Sequence, residues 1–246
     1  MNAIIFAALL ALPSALQAAQ TACVYDKGGI VEVERGGKSF SASKGALLEQ
    51  GDKVKAGKDA WVELLMAEGT FIRLEAGTEA SLDELGLAGG ERSFSFGLLR
   101  GKALWLAAKL KNLAAAKKFS VRTPSAVCAV RGTDFTVIVS TSGETSIGLF
   151  EGKVAVSPPA GPEQELLPGG EARASGQGVA VESRMSALMK AEQRRYERVK
   201  KRVDDLRKRM QEREDFIGEY SKKLEKKLSE RDARLKERLE KRQGAQ

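Results

Sequence analysis

Between Val24 and about Val181, apolar and polar positions alternate over short stretches rich in Val, Ile, Phe and Thr, and glycine-bearing turns separate the stretches. That is the pattern of an all-β domain. In FSVRTP, Phe119, Val121 and Thr123 fall on one face, and in DFTVIV so do Phe135, Val137 and Val139. TSGE then turns the chain into TSIGLF, which predicts a hairpin with one buried face. Similar units occur at IVEVERGG, AWVELLMAEGTFIRLEAGTEASL and LFEGKVAV, where Glu151-Gly152 supplies a turn or bulge. These signals predict roughly ten strands. In LRGKALWLAAKLKNLAAAKK a strand is expected through Leu104–Leu106, followed by a loop or short helix. SPPAGPEQELLPGG reads as a loop holding one last short strand near Leu166-Leu167.

The pattern changes after Val181. From Ser183 to Arg242 there is no proline and only Gly218, and Lys, Arg, Glu, Leu and Met dominate, which predicts one long helix. Steps of four and three from Met185 reach Met189, Glu192, Tyr196, Val199, Val203, Leu206, Met210, Arg213, Ile217, Tyr220 and Leu224. Most of these are apolar, so the stripe has the spacing of a coiled-coil seam. Sixty helical residues would span about 90 Å, too long to fold back wholly onto a small β-domain. Self-association through the seam is the first reading. A salt-bridged single helix, or a basic helix on an anionic surface, are the rivals.

The amino terminus reads MNAIIFAALLALPSALQAAQ: an apolar run, Pro13, then small residues around Ala18 and Ala19. It predicts a signal peptide over residues 1–19 and export to the periplasm or cell envelope. The run is too short for a roughly 30 Å hydrocarbon layer. The three expected parts are thus 1–19 (signal peptide), 23–180 (β-domain) and 183–242 (coiled-coil helix).

Charge sharpens this division. The net charge of +8 lies entirely in residues 181–246, with 22 Lys and Arg against 14 Asp and Glu, whereas residues 1–180 balance at 19 each. Export argues against nucleic acid as the partner of that basic tail. An oxidising compartment would permit a bridge between Cys23 and Cys128. The other reading makes Cys128 a small buried hydrophobe in the apolar run from Ala126 to Val130 and leaves Cys23 at a mobile chain start.

The residue inventory bears on chemistry. There is no histidine, which removes Ser-His-Asp and Cys-His nucleophiles and His-bearing zinc sites. Two cysteines cannot make a Cys₄ site. No pair of carboxylates is forced together, and the turns GGER and PGGE lack the Gly-Lys-Ser/Thr ending of a phosphate loop. No catalytic residue, cofactor or metal is therefore expected. Trp61 and Trp105 read as core or half-buried strand residues rather than a sugar platform.

The order AWVELLMAEGTFIRLEAGTEASL, FSVRTPSAVCAVRGTDFTV, EGKVAV resembles the FecR domain over about residues 28–175. Thr123-Pro124, then Arg131-Gly132-Thr133-Asp134-Phe135, then Glu151-Gly152 carry the resemblance. It implies a mainly β fold, a compact β-roll or solenoid of short stacked strands, here followed by a long C-terminal helix, and it implies no enzymatic activity. The well-known members are membrane-spanning regulators that pass a signal from an outer-membrane receptor to a cytoplasmic sigma factor. Only a short signal sequence precedes the domain here, so a stand-alone exported module is expected. The motif residues themselves read as fold-specifying: Gly132 suits a bend, Thr133 or Asp134 can cap backbone donors, and Arg131 can pair with a carboxylate or carbonyls.

Together these readings give a non-enzymatic envelope protein whose β-domain docks a protein or ligand and whose tail assembles it. Two alternatives remain: a periplasmic partner of a membrane regulator, and a module that binds cell-wall glycan. Self-association, a protein partner, an envelope glycan and an anionic membrane surface are the candidate contacts.

Overall fold

A computed structural model describes residues 22–66, 69–88, 91–107 and 118–212. The chain divides into two compact units, Met1–Ser183 and Arg184–Gln246. The expected signal segment, the loop after Ala107 and the seam positions Ile217, Tyr220 and Leu224 lie outside the described residues.

Among its described residues the first unit is built from strands and the turns between them. Its amino-terminal part contains β1 (Ala22–Gly28), β2 (Val31–Arg35), β3 (Lys38–Ser41), β4 (Leu47–Leu48), β5 (Lys53–Ala56), β6 (Trp61–Met66), β7 (Phe71–Leu74) and β8 (Glu79–Ala88). Then come the long β9 (Glu91–Leu106), β10 (Lys118–Arg122), and the long pair β11 (Val127–Val139) and β12 (Thr145–Ser157). β13 (Gln164–Leu166), β14 (Glu171–Ser175) and β15 (Gly178–Glu182) finish it. The expected hairpin is β11–β12, closed at Ser140–Glu144 by the Glu144 carbonyl accepting from the Ser140 amide. The strand expected at Leu104–Leu106 ends β9, and the one near Leu166 is β13.

Fifteen strands among the described residues replace the expected ten. The excess comes from strands such as Leu47–Leu48 and Gln164–Leu166, too short for any alternation to register in the sequence. All pair into one continuous sheet, with a main path β15-β14-β12-β11-β10-β9-β7-β6-β1-β4 and a branch through β8, β5, β2 and β3.

The branching follows from strand length. β9 pairs through Glu91–Arg100 with β8, and through Ala103–Leu106 with β7. On its other side it pairs with β10 in parallel at Ser93–Gly97, and directly with β11 from Gly101 onward. β10 is therefore a short wedge between the first halves of β9 and β11, and the sheet must bend where the wedge stops. Trp105 of β9 stacks on Phe135 of β11 past that point, with ring centroids 5.0 Å apart and planes 7° from parallel. Both are buried, in one apolar core with Phe94, Leu98, Val121, Cys128, Val137 and Leu149.

The second unit is described as a helix, α1, over 187–212. Ser186 caps it: its Oγ accepts from the Met189 amide at 3.3 Å, and its carbonyl accepts the first helical bond from the Lys190 amide. Of the stripe read from the sequence, Met185, Met189, Tyr196 and Val203 are buried and Val199 and Leu206 half-buried, while Met210 is exposed.

Candidate docking surface

The motif residues converge on the bend. The β11–β12 register shifts on either side of Asp134, so that Gly132 and Thr133 bulge from β11 while Phe150 bulges from β12. Gly132 and Gly152 both have left-handed backbones, with φ of 59° and 89°. A Cβ on Gly152 would lie 2.8 Å from the Gly132 carbonyl oxygen, whereas one on Gly132 would meet nothing within 4 Å. Thr133 fastens the crossing: its Oγ1 donates to the Lys153 carbonyl at 2.9 Å and accepts from the Lys153 amide at 3.3 Å. Asp134 Oδ1 accepts from the Ala107 amide at 3.1 Å. Thr133, Asp134 and Phe135 are all buried.

The same device occurs a second time. Thr78 Oγ1 donates to the Lys102 carbonyl and accepts from the Lys102 amide, both at 3.0 Å, and a Cβ on the intervening Gly101 would lie 2.5 Å from Thr78. Gly-Thr-Glu at 77–79 with Gly-Lys at 101–102 thus repeats Gly-Thr-Asp at 132–134 with Gly-Lys at 152–153. Both repeats were visible in the sequence as Gly-Thr-acid followed by Gly-Lys.

Thr123 and Pro124 lie in the link between β10 and β11. Ser125 Oγ donates to Thr145 Oγ1 at 2.8 Å, Thr145 Oγ1 to Thr123 Oγ1 at 2.9 Å, and Thr123 Oγ1 to the Ala126 carbonyl at 3.1 Å. This relay ties the link to the start of β12 and leaves those hydroxyls committed. Thr133 and Asp134 are thus spent on holding the bend, while the side chain of Arg131 lies outside what the structure describes. Glu151 is half-buried at the crossing.

Cys23 and Cys128, for which a bridge is one of two readings of the sequence, are both free thiols, and Cys128 is buried. They sit on β1 and β11, strands with no pairing to each other. Burial pushes the Cys128 thiol up to about 12, which keeps it protonated and unreactive at neutral pH. Burial also raises Cys23, by more than its hydrogen bond to the Leu65 backbone lowers it. Trp105 is buried, and its indole N–H has no hydrogen-bond partner among the described residues. Trp61 is half-buried under the Arg73 guanidinium, whose carbon lies 4.3 Å from the ring centroid. Trp105 offers no face to a sugar, and Arg73 occupies one face of Trp61.

Three carboxylates are buried away from the motif, Glu171 beside Arg173 on β14 and two others. Asp52 is held by Arg35, whose Nε and Nη2 donate to its two oxygens at 2.7 Å each, and by the Glu49 amide at 2.8 Å. Burial pushes the Asp52 carboxyl up, but these donors outweigh burial and hold it below the usual carboxylate range. Glu63 accepts from Arg73 Nη1, and Arg73 Nε donates to Glu75 at 2.7 Å. Both sets tie strands together. Among the described residues no group of three metal-ligating side chains occurs, and no helix is long and apolar enough to cross a membrane.

Among the depressions that the β-unit presents to solvent is a groove of about 440 Å³ beside the Thr-Pro link. Lys53 and Lys55 of β5, Glu79 to Ser81 of β8, Gly97 to Leu99 of β9, and Arg122, Thr123 and Pro124 line it. Leu99 is 62% exposed there, while Leu98 forms buried floor. Both lysines bond Glu34, at 3.2 and 3.1 Å, and hold its carboxyl below the usual range, the Lys55 bond foremost. Glu79 pairs with Arg100 at 2.8 Å.

Residues 52–155 match the family described as FecR protein. No curated protein matches the chain. Two crystal structures of a candidate anti-sigma factor from Parabacteroides distasonis are similar to it at 21% identity and a TM-score of 0.44. Each likeness covers 54% of this chain and 59% of the solved chain, so this chain spans little more than half of that protein's length. The described architecture is mainly β with a C-terminal helix, and its central segment, from Asp52 to Ala155, is similar to the FecR protein family.

Proposed function

We propose that this chain is a non-enzymatic, exported envelope protein whose FecR-like domain docks a protein partner and whose helical tail assembles the chain into a multimer. One observation carries the docking reading. Thr133 and Asp134 of the motif are buried and committed to the bend, so what remains for recognition is an open surface of apolar and basic side chains with no nucleophile and base brought together among the described residues. The partner is a regulatory protein of the envelope, such as a membrane regulator or receptor. The FecR match supports that choice over cell-wall glycan, since Trp105 is buried and Arg73 occupies one face of Trp61.

A photo-cross-linking scan tests the docking reading. A photoreactive amino acid is placed in turn at Ile30, Phe40, Leu99 and Leu167, all exposed on the β-unit, and cells producing the full chain are irradiated. Discrete adducts with one envelope protein, from one face only, are expected. Absence of adducts from every face would overturn the reading.

A further inference from the structure

Most polar side chains that line the Leu99 groove are already spoken for. Lys53 and Lys55 share Glu34, Glu79 is held by Arg100, Ser81 Oγ donates to Asp83 at 2.5 Å, and Thr123 belongs to the hydroxyl relay. Arg122 differs: it is exposed, and it has no ion-pair or hydrogen-bond partner among the described residues. Beside it are the apolar surfaces of Leu99, Leu98, Ala80 and Pro124. The groove therefore offers two kinds of contact, a guanidinium fork and an apolar strip.

The local charge agrees. The residues that line the groove carry Lys53, Lys55 and Arg122 against Glu79, a positive lining that Glu34 beside the two lysines offsets in part and that leaves Arg122 as its uncompensated charge. On the far side of β10 the sign changes, where a second depression is lined by Glu84, Glu163 and Glu165 as well as Lys153 and Arg122 itself. An anionic ligand is thus drawn to the Leu99 side and repelled from the other.

The volume lies within the range of about 300–1,000 Å³ of small-ligand clefts, but those bury most of their ligand. This groove is open to solvent rather than enclosed. A small molecule would stay largely hydrated in it, whereas a longer chain crossing it gains contacts on either side. We infer that the groove between β5, β8, β9 and the Thr123-Pro124 link binds an extended acidic peptide segment of a protein partner, with a carboxylate on Arg122 and an aliphatic side chain against Leu99. This rests on the docking reading and gives it a place and a partner chemistry.

The test uses the full chain and a fluorescein-labelled decapeptide of alternating Asp and Leu, read by fluorescence anisotropy, with Lys/Leu and Asn/Leu decapeptides as comparisons. The Asp/Leu peptide is expected to bind more tightly than either, and to weaken as salt rises. Arg122→Glu and Leu99→Asp should each weaken it by roughly tenfold, as loss and reversal of an exposed charge contact or loss of an apolar anchor would. Lys58→Glu, in the exposed turn between β5 and β6, should leave binding unchanged, and circular dichroism confirms that each variant is folded. Equal binding of the three peptides, no binding of the Asp/Leu peptide, or unchanged binding in both groove variants would overturn the assignment. So would binding to phosphatidylglycerol vesicles that Arg122→Glu abolishes while the peptide does not bind. Cross-links from Phe40 or Leu167 but none from Leu99 would sink the groove and leave the docking reading standing.

Discussion

Gly132 and Gly152 face each other across the bend, yet they hold their places for different reasons. Both need a left-handed backbone, but only Gly152 also needs empty space, because the Gly132 carbonyl and Thr133 lie against it. Gly132→Ala should cost about 1–2 kcal/mol, the ordinary penalty for a side chain in that region. Gly152→Ala adds a backbone collision and should cost clearly more, about 3 kcal/mol or above. Urea unfolding of the two variants measures the difference, and equal losses would mean that the close approach carries no weight. The sequence marked both glycines as turn residues, but it could not rank them, since the ranking depends on a carbonyl twenty residues away in the chain.

Asp52 supplies a second prediction at the same scale. Its folded carboxyl titrates below the unfolded value of about 3.9, so the folded state binds its proton less tightly than the unfolded chain. Its contribution to stability is present above pH 4 and is lost as pH falls through the depressed folded value. Asp52→Asn removes an acceptor from a pair whose Arg35 end is 35% exposed, and should cost about 2–3 kcal/mol at pH 7, less than breaking a fully buried pair. The loss should shrink when urea midpoints are compared at pH 7 and pH 2.5; a loss independent of pH would show that the pair does not titrate this way. Nothing local in the sequence announced this pair, because Arg35 and Asp52 meet only when β2 and β5 align.

Among the elements, long strands were the most legible. Alternation in DFTVIV and TSIGLF gave the β11–β12 hairpin and its buried face, because period two shows plainly over such lengths. β10 was legible as a strand, but its place was not: a parallel pairing with β9 is a long-range fact, and no alternation encodes it. The Trp105–Phe135 stack depends on that arrangement, since it forms where β9 and β11 meet beyond the wedge. Phe135→Ala should therefore cost about 3–5 kcal/mol through lost burial and the cavity left beneath Trp105. Quenching of tryptophan near-ultraviolet circular dichroism in the folded variant would report the lost stack directly. A cost below about 1 kcal/mol would mean that the core collapses around the gap.

For the whole molecule, the charge-balanced, glycine-punctuated part of the sequence coincides with the β-unit, and the basic part without proline carries the helix. The Leu99 groove was not legible, since Lys53, Leu99 and Arg122 come from three strands that only the sheet's branching brings together. Recognition by such a surface gains in strength when several copies are presented at once. That links the two halves of the proposed function, a docking head and an assembling tail.

The most direct test is the solution mass by light scattering after size exclusion, comparing residues 20–246 with residues 20–183. The account predicts a multimer for the longer chain and a monomer for the shorter one, with the shorter chain still folded by circular dichroism. A monomer in both cases would contradict assembly through the tail, and with it the picture of a multivalent docking protein.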